Sequence, residues 1–221
     1  MSHPSHRPAL ARLAHLLGVD ATDLHELAGV PDPDLRALHA QVSHRLFAEG
    51  QHQFTRIAGL ASSLPGPMAG KIAEKFLPAP VAARVAELLE PARARDLVGR
   101  LSLSYLCDVA LALDPERSRG VVRAIAPERV GQVACELFRR GHHALLVDFL
   151  GAVTVEAFVV VLEMASPEDL AEVLPLVECD DETTEAFAAL DPQVRAVVVA
   201  RLAQLPAGSA PGLQAALGLP A

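Results

Sequence analysis

Cysteine is scarce. The 221 residues hold three, Cys107, Cys135 and Cys179, widely spaced and odd in number. That usage excludes a disulfide framework and fits a reducing, cytoplasmic compartment. Long apolar runs are missing too, although 51% of the residues are hydrophobic and the mean hydropathy is +0.29. "AFVVVLEMA" (157–165) is broken by Glu163, and "AVVVARLAQL" (196–205) by Arg201. Neither approaches the ~20 residues of a membrane span, so no span is expected. "MSHPSHRPAL" lacks the basic-then-apolar plan of a secretory leader. No alternating strand pattern stands out, and no Gly-rich phosphate loop is present.

Basic residues are short in the last third of the chain. From 141 to 221 there are 2 Arg against 12 Asp and Glu, whereas 61–140 carries 12 Lys and Arg against 9 acids. The first sixty residues are near balance, with 5 Arg against 6 acids, and the net charge is −8. So polarised a chain argues against nonspecific nucleic-acid binding, which needs a cationic face along its length. It permits head-to-tail contact between copies. The plainer reading is a set of solvated faces.

What is present in quantity is proline at helix starts. "LDPERSRGVVRAIAPERVGQVACEL" (113–137) repeats Pro-Glu-Arg at 115–117 and 127–129. Proline suits the first helical turn, where its missing N–H was unneeded and its fixed φ already fits. Asp114, Ser166 and Asp191 stand before prolines as N-caps, and Ser166 with Asp169 has the spacing of a capping box. Counting on from Pro91, the positions at +6, +7 and +10 are Leu97, Val98 and Leu101. Pro115 leads in this way to Val121, Val122 and Ile125, and Pro127 to Val133, Ala134 and Leu137. Pro167 leads to Val173, Leu174 and Val177, and Pro192 to Val198, Val199 and Leu202. These spacings put each triplet on one helical face. Further starts near 78–80, 103, 142, 154 and 181 make units of 11 to 15 residues. Helices that short are unstable alone and must bury their stripes against neighbours. The expected fold is all-α, a stacked array of helical repeats of about 12 residues.

Units such as "LEPARARDLVGRLS", "LDPERSRGVVRAIAPERVGQVACEL" and "ASPEDLAEVLPLV" resemble the cytoplasmic N domain of MgtE-type magnesium transporters, over residues 65–205. That family packs serial short helices into a right-handed superhelix, and flagellar motor-switch proteins share related modules. The resemblance implies a right-handed superhelical array here. It implies no magnesium transport, because it covers no membrane or regulatory module, and it carries over no metal-binding residue.

Residues 1–60 depart from the repeat and are expected to form a helical cap or dimerisation segment, with the array occupying 61–221. "RPALARLAHLLGVDATDLHELAGV" reads as two short amphipathic helices and "DPDLRALHAQVSHRLFAE" (32–49) as a longer one. "LAHLLGVDATDLHEL" resembles a helix-turn-helix, but it would offer Asp20, Asp23 and Glu26 to the DNA backbone, which repels them. Seven histidines fall here: His3, His6, His15, His25, His39, His44 and His52. His39 and His44 are five apart and splay on a helix, so solvated histidines are expected rather than a zinc or haem site.

Candidate ligand chemistry gathers at "FRRGHH" (138–143). Gly141 can end a helix in the left-handed conformation, with Arg139, Arg140, His142 and His143 around it, able to receive an anionic headgroup or carboxylate. Basic residues also simply suit a helix C-terminus. Tyr105 is taken with this set as a ligand-binding candidate. It sits with Ser102, Ser104 and Cys107, where no G-x-S-x-G elbow or Cys/His pairing signals a nucleophile. The acid-rich "ECDDETTE" (178–185) reads as a solvated helix start or a weak divalent-cation site. No cofactor and no catalytic residue is expected. The leading expectation is a non-catalytic scaffold binding a protein, its own copies included. The alternative is a carrier or sensor of an apolar ligand such as a fatty acid, motivated by Val159–Val161 and Val197–Val199, which line more than one helical face.

Overall fold

A computed structural model describes residues 8–149 except Gly18, together with 151–174, 184, 188, 190–205 and 210–219. Among the described residues every regular element is a helix, and there is no strand. No helix among them is long and apolar enough to cross a membrane. The chain divides into two compact units, residues 1–89 with 108–113, and residues 90–107 with 114–221.

Proline writes most of the helix boundaries in the first unit. α1 (Pro8–Leu17) is followed by a 3-10 segment (Ala21–Gly29), then α2 (Asp32–Ser63), α3 (Gly66–Phe76) and α4 (Ala79–Ala86). Each of α2, α3 and α4 opens on Pro-x-Pro, with Pro31, Pro65 and Pro78 at the cap. A residue before proline is driven out of the helical region. Leu64 (φ −80°, ψ 149°) and Leu77 (φ −102°, ψ 115°) accordingly end α2 and α3. The helix expected over 32–49 therefore continues to Ser63, the last residue before that pair. Instead of a second helix, residues 21–29 form the 3-10 segment, held by a capping box between Asp20 and Asp23. Leu10 and Leu13 of α1 bury against Leu35 of α2, with Leu24, Leu27 and Val30 packed around them.

The second unit carries the repeat. Its helices are α5 (Pro91–Val98), α7 (Pro115–Val122), α8 (Pro127–Arg139), α9 (His143–Asp148), α10 (Val155–Met164), α11 (Pro167–Val173), α12 (Pro192–Leu202) and α13 (Pro211–Ala216). α6 (Leu103–Ala112) is shared between the two units. All five template prolines stand at the first position of their helices. Asp114, Ser166 and Asp191 each accept a backbone N–H with their side chains. Every described member of the five apolar triplets is buried or half-buried, and Val177 lies outside the described residues. A core around Leu162, Leu170, Leu174, Val198 and Leu213 closes the unit.

The caps are local, so their removal has a local cost. Asp114 Oδ1 accepts from the N–H groups of Glu116 at 3.0 Å and Arg117 at 3.2 Å. Asp114→Ala is expected to lower stability by about 1 kcal/mol, read as a shift in the denaturant midpoint at unchanged slope.

Candidate functional site

The "FRRGHH" corner is built by the end of α8. Gly141 adopts φ +78°, its N–H donates to Phe138 O at 2.8 Å, and the His142 N–H donates to Leu137 O at 2.9 Å. This is a Schellman closure, in which a left-handed glycine lets two amides satisfy the last carbonyls. His142 becomes the residue before α9 and His143 its first residue.

The two arginines converge on one carboxylate. Arg139 donates to Glu136 through Nε at 2.8 Å and Nη2 at 2.5 Å. Arg140 Nε donates to Glu136 Oε1 at 2.9 Å, and its Nη2 donates to Ser104 Oγ at 3.0 Å. The hydrogen bonds from Arg139 and then Arg140 hold the Glu136 carboxyl well below the ordinary range, at about 2. A carboxyl lowered on folding stabilises the fold above its unfolded pKa and loses that contribution as pH falls toward its folded value. Wild type is expected to lose part of its acid-side stability between about pH 4.5 and 2 as Glu136 protonates. Glu136→Gln should be less stable at neutral pH and flatter across that window, measured as melting temperature against pH.

His143 faces acids instead. Its Nε2 lies 3.1 Å from Asp169 Oδ1 and its Nδ1 3.5 Å from Glu172 Oε2, while its ring centroid is 5.4 Å from that of Phe138. Asp169 also accepts from the Ser166 hydroxyl at 2.7 Å. Partial burial pushes the Asp169 carboxyl up, but the hydrogen bonds from Ser166 and His143 outweigh it and hold it below its usual value. The hydroxyl therefore donates to the Asp169 carboxylate and not to the His143 imidazole. Neither described cysteine supplies a ready thiolate. Cys107 is fully buried, its thiol toward Val133 O at 3.8 Å, and burial followed by the Asp169 charge pushes the Cys135 thiol up.

Of the residues singled out in the sequence, Arg139 and Arg140 thus share Glu136, with Ser104 joined through Arg140, while His143 pairs separately with Asp169 and Glu172. Tyr105 is the next residue along, half-buried in the first turn of α6. His142 contributes its backbone to the closure. The acid run at 178–185 lies outside the described residues, Thr184 excepted, as do His3 and His6. Among the described residues no group of three or more His, Cys, Asp or Glu is placed to hold a metal ion.

A second set of arginines escaped the sequence reading. Arg84 of α4 donates to Ala112 O at the end of α6 (2.5 Å), and Arg95 of α5 to Ala124 O just past α7 (2.5 Å). Arg123 donates to Gly151 O beyond α9 (3.4 Å), and Arg129 to Leu101 O beyond α5 (2.5 Å). Arg195 reaches Leu217 O, and Arg201 reaches both Leu162 O and Ala165 O at the end of α10. Each guanidinium answers carbonyls at or just past the end of another helix, where the backbone is left without an intrahelical partner and the dipole favours a cation. Arg129, the arginine of the second Pro-Glu-Arg unit, is half-buried in making this contact. The signal available in the sequence was position: Arg84 and Arg95 each fall four residues after a helix-opening proline.

Comparison with known protein families, curated proteins and solved structures gives no match for this chain.

Proposed function

We propose that the chain is a non-catalytic helical-repeat protein that holds other protein chains, its own copies among them, on a right-handed superhelical array. The observation that carries this reading is the arginine stapling. Arg84, Arg123 and Arg129 each span 28 residues to their carbonyl and Arg95 spans 29. Arg195 spans 22 residues and Arg201 spans 39 and 36, so without one fixed stride these bridges tie short helices that could not stand alone to carbonyls at the ends of other helices. Arrays built in this way are stiff and present extended surface, the property a scaffold needs. The resemblance to the MgtE-type N domain supports the same handedness. The "FRRGHH" corner fits as a joint of the array, because Glu136, Asp169 and Glu172 already answer its cations.

Native and denaturing mass spectrometry of the purified chain tests this. Assemblies made only of protein, growing with concentration or with an added partner chain, are expected. A fatty acid or lipid that accompanies the native protein and is released on denaturation overturns the scaffold in favour of a carrier.

A further inference from the structure

Among the described residues of the second unit, one sulfur is open to oxidation. Cys107 is fully buried, and burial followed by the Asp169 charge holds the Cys135 thiol away from thiolate. Met164, the last residue of α10, is 47% exposed, so a small oxidant in water reaches it. A thioether has no proton to lose before it reacts.

The covered half of Met164 lies over the backbone of α8. Gly131 is buried in that helix, and a Cβ built there would stand 2.7 Å from Met164 Sδ, 3.8 Å from its Cε and 2.8 Å from Val160 Cγ1. The sulfur thus fills the space that the glycine leaves. No donor awaits an added oxygen on that side, because the amides of α8 are spent within the helix. Val130 N–H, for one, donates to Ala126 O at 3.1 Å. The chain beside the methionine is pinned: Ala165 O accepts from Arg201, and Ala165 N–H donates to Val161 O at 2.9 Å. Only the side chain is left to respond.

We infer that Met164 is a reversible oxidation site, and that its sulfoxide uncovers Gly131 and loosens the crossing of α8 with α10. The inference stands apart from the scaffold reading. A lone pair on Sδ attacks one oxygen of hydrogen peroxide; an S–O bond forms and the O–O bond breaks. The departing hydroxide takes the proton of the transferred oxygen and leaves as water. Sulfur gives up two electrons and the peroxide gains them. A dithiol reductase reverses the step, its two thiols becoming a disulfide while the sulfoxide oxygen leaves as water. The apolar thioether has meanwhile become a polar group, which must lose its hydration against Gly131 or swing into solvent. The second course is open because half of the side chain is already there. It strips the cover from Gly131 and Val160.

Hydrogen peroxide treatment of the full chain, followed by peptide mass mapping and urea denaturation, tests this. Met68→Leu serves as the parent, since Met68 on α3 is 54% exposed and would oxidise as well. In that parent the peptide holding Met164 is expected to gain one oxygen, and the folding equilibrium constant to fall about five- to tenfold. The two epimer-specific methionine sulfoxide reductases should restore both. Adding Met164→Leu keeps an apolar side chain of similar volume, and should leave stability near the parent's and indifferent to peroxide. Met164→Gln should resemble the oxidised protein before any treatment. An oxidised Met164 with an unmoved midpoint overturns the inference. So does a Met164 that stays reduced in wild type while Met68 is fully oxidised. Equal loss of stability in the Met164→Leu variant after peroxide overturns it in favour of another sulfur.

Discussion

Leu174→Asp is expected to unfold the second unit. Leu174 is 1% exposed and belongs to the core with Leu170, Val173, Val198 and Leu213. A carboxylate placed there meets no cation and no donor among these aliphatic neighbours. It must either stay ionised in an apolar medium or take up a proton at neutral pH, and both routes cost several kcal/mol. A domain holds only about 5–15 kcal/mol in total, so the substitution removes most of it. Leu174→Met is the control, because it keeps volume and polarity and should cost less than about 1.5 kcal/mol. Far-UV circular dichroism against temperature separates the two. A wild-type melt for the aspartate variant would mean that Leu174 does not face this core.

The second large effect belongs to Gly131, which lies buried in α8. A methyl group at this position would stand 2.7 Å from Met164 Sδ and 2.8 Å from Val160 Cγ1, both on α10. Methionine can swing aside, but the β-branched Val160 has little rotamer freedom on a helix. Gly131→Val therefore pushes the helices apart, at a cost of about 3 kcal/mol. Gly120, in α7, gives the opposite sign: nothing lies within 4 Å of the methyl that alanine would add. Gly120→Ala is expected to stabilise by about 0.5–1 kcal/mol through the backbone entropy of the unfolded chain. Chemical denaturation of the two variants beside wild type measures both. Equal midpoints for Gly131→Val and wild type would rule out this close approach of α8 and α10.

These two sites differ in how far they could be read beforehand. Leu174 is seven residues beyond Pro167, and that spacing alone put it in the buried stripe. Gly131 carries no such mark. Its closeness to α10 depends on two residues about thirty positions away, and glycine in a helix has no spacing rule that announces a crossing. The candidate corner shows the same division. Gly141 was legible as a helix end, because one residue's backbone freedom decides it. The partners that answer the cations were not. Glu136 is near enough in sequence to have been suspected, but Ser104 and Asp169 come from α6 and α11. In the basic cluster, Arg139 and Arg140 are paired with Glu136, and His143 lies beside Asp169 and Glu172.

Helix starts, caps and the apolar stripe of each helix were therefore determined by the sequence alone. Proline's φ, an Asp or Ser oxygen two or three residues from its amide, and the 3.6-residue period all act within a few turns of chain. Tertiary structure alone decided which carbonyl each arginine answers, which glycine meets a neighbouring helix, and which apolar stripe is left in solvent. Met68, Ile72 and Phe76 of α3 have the spacing of a buried face and are exposed. Periodicity names the side a helix would bury, and only the presence or absence of a neighbour decides whether it is covered.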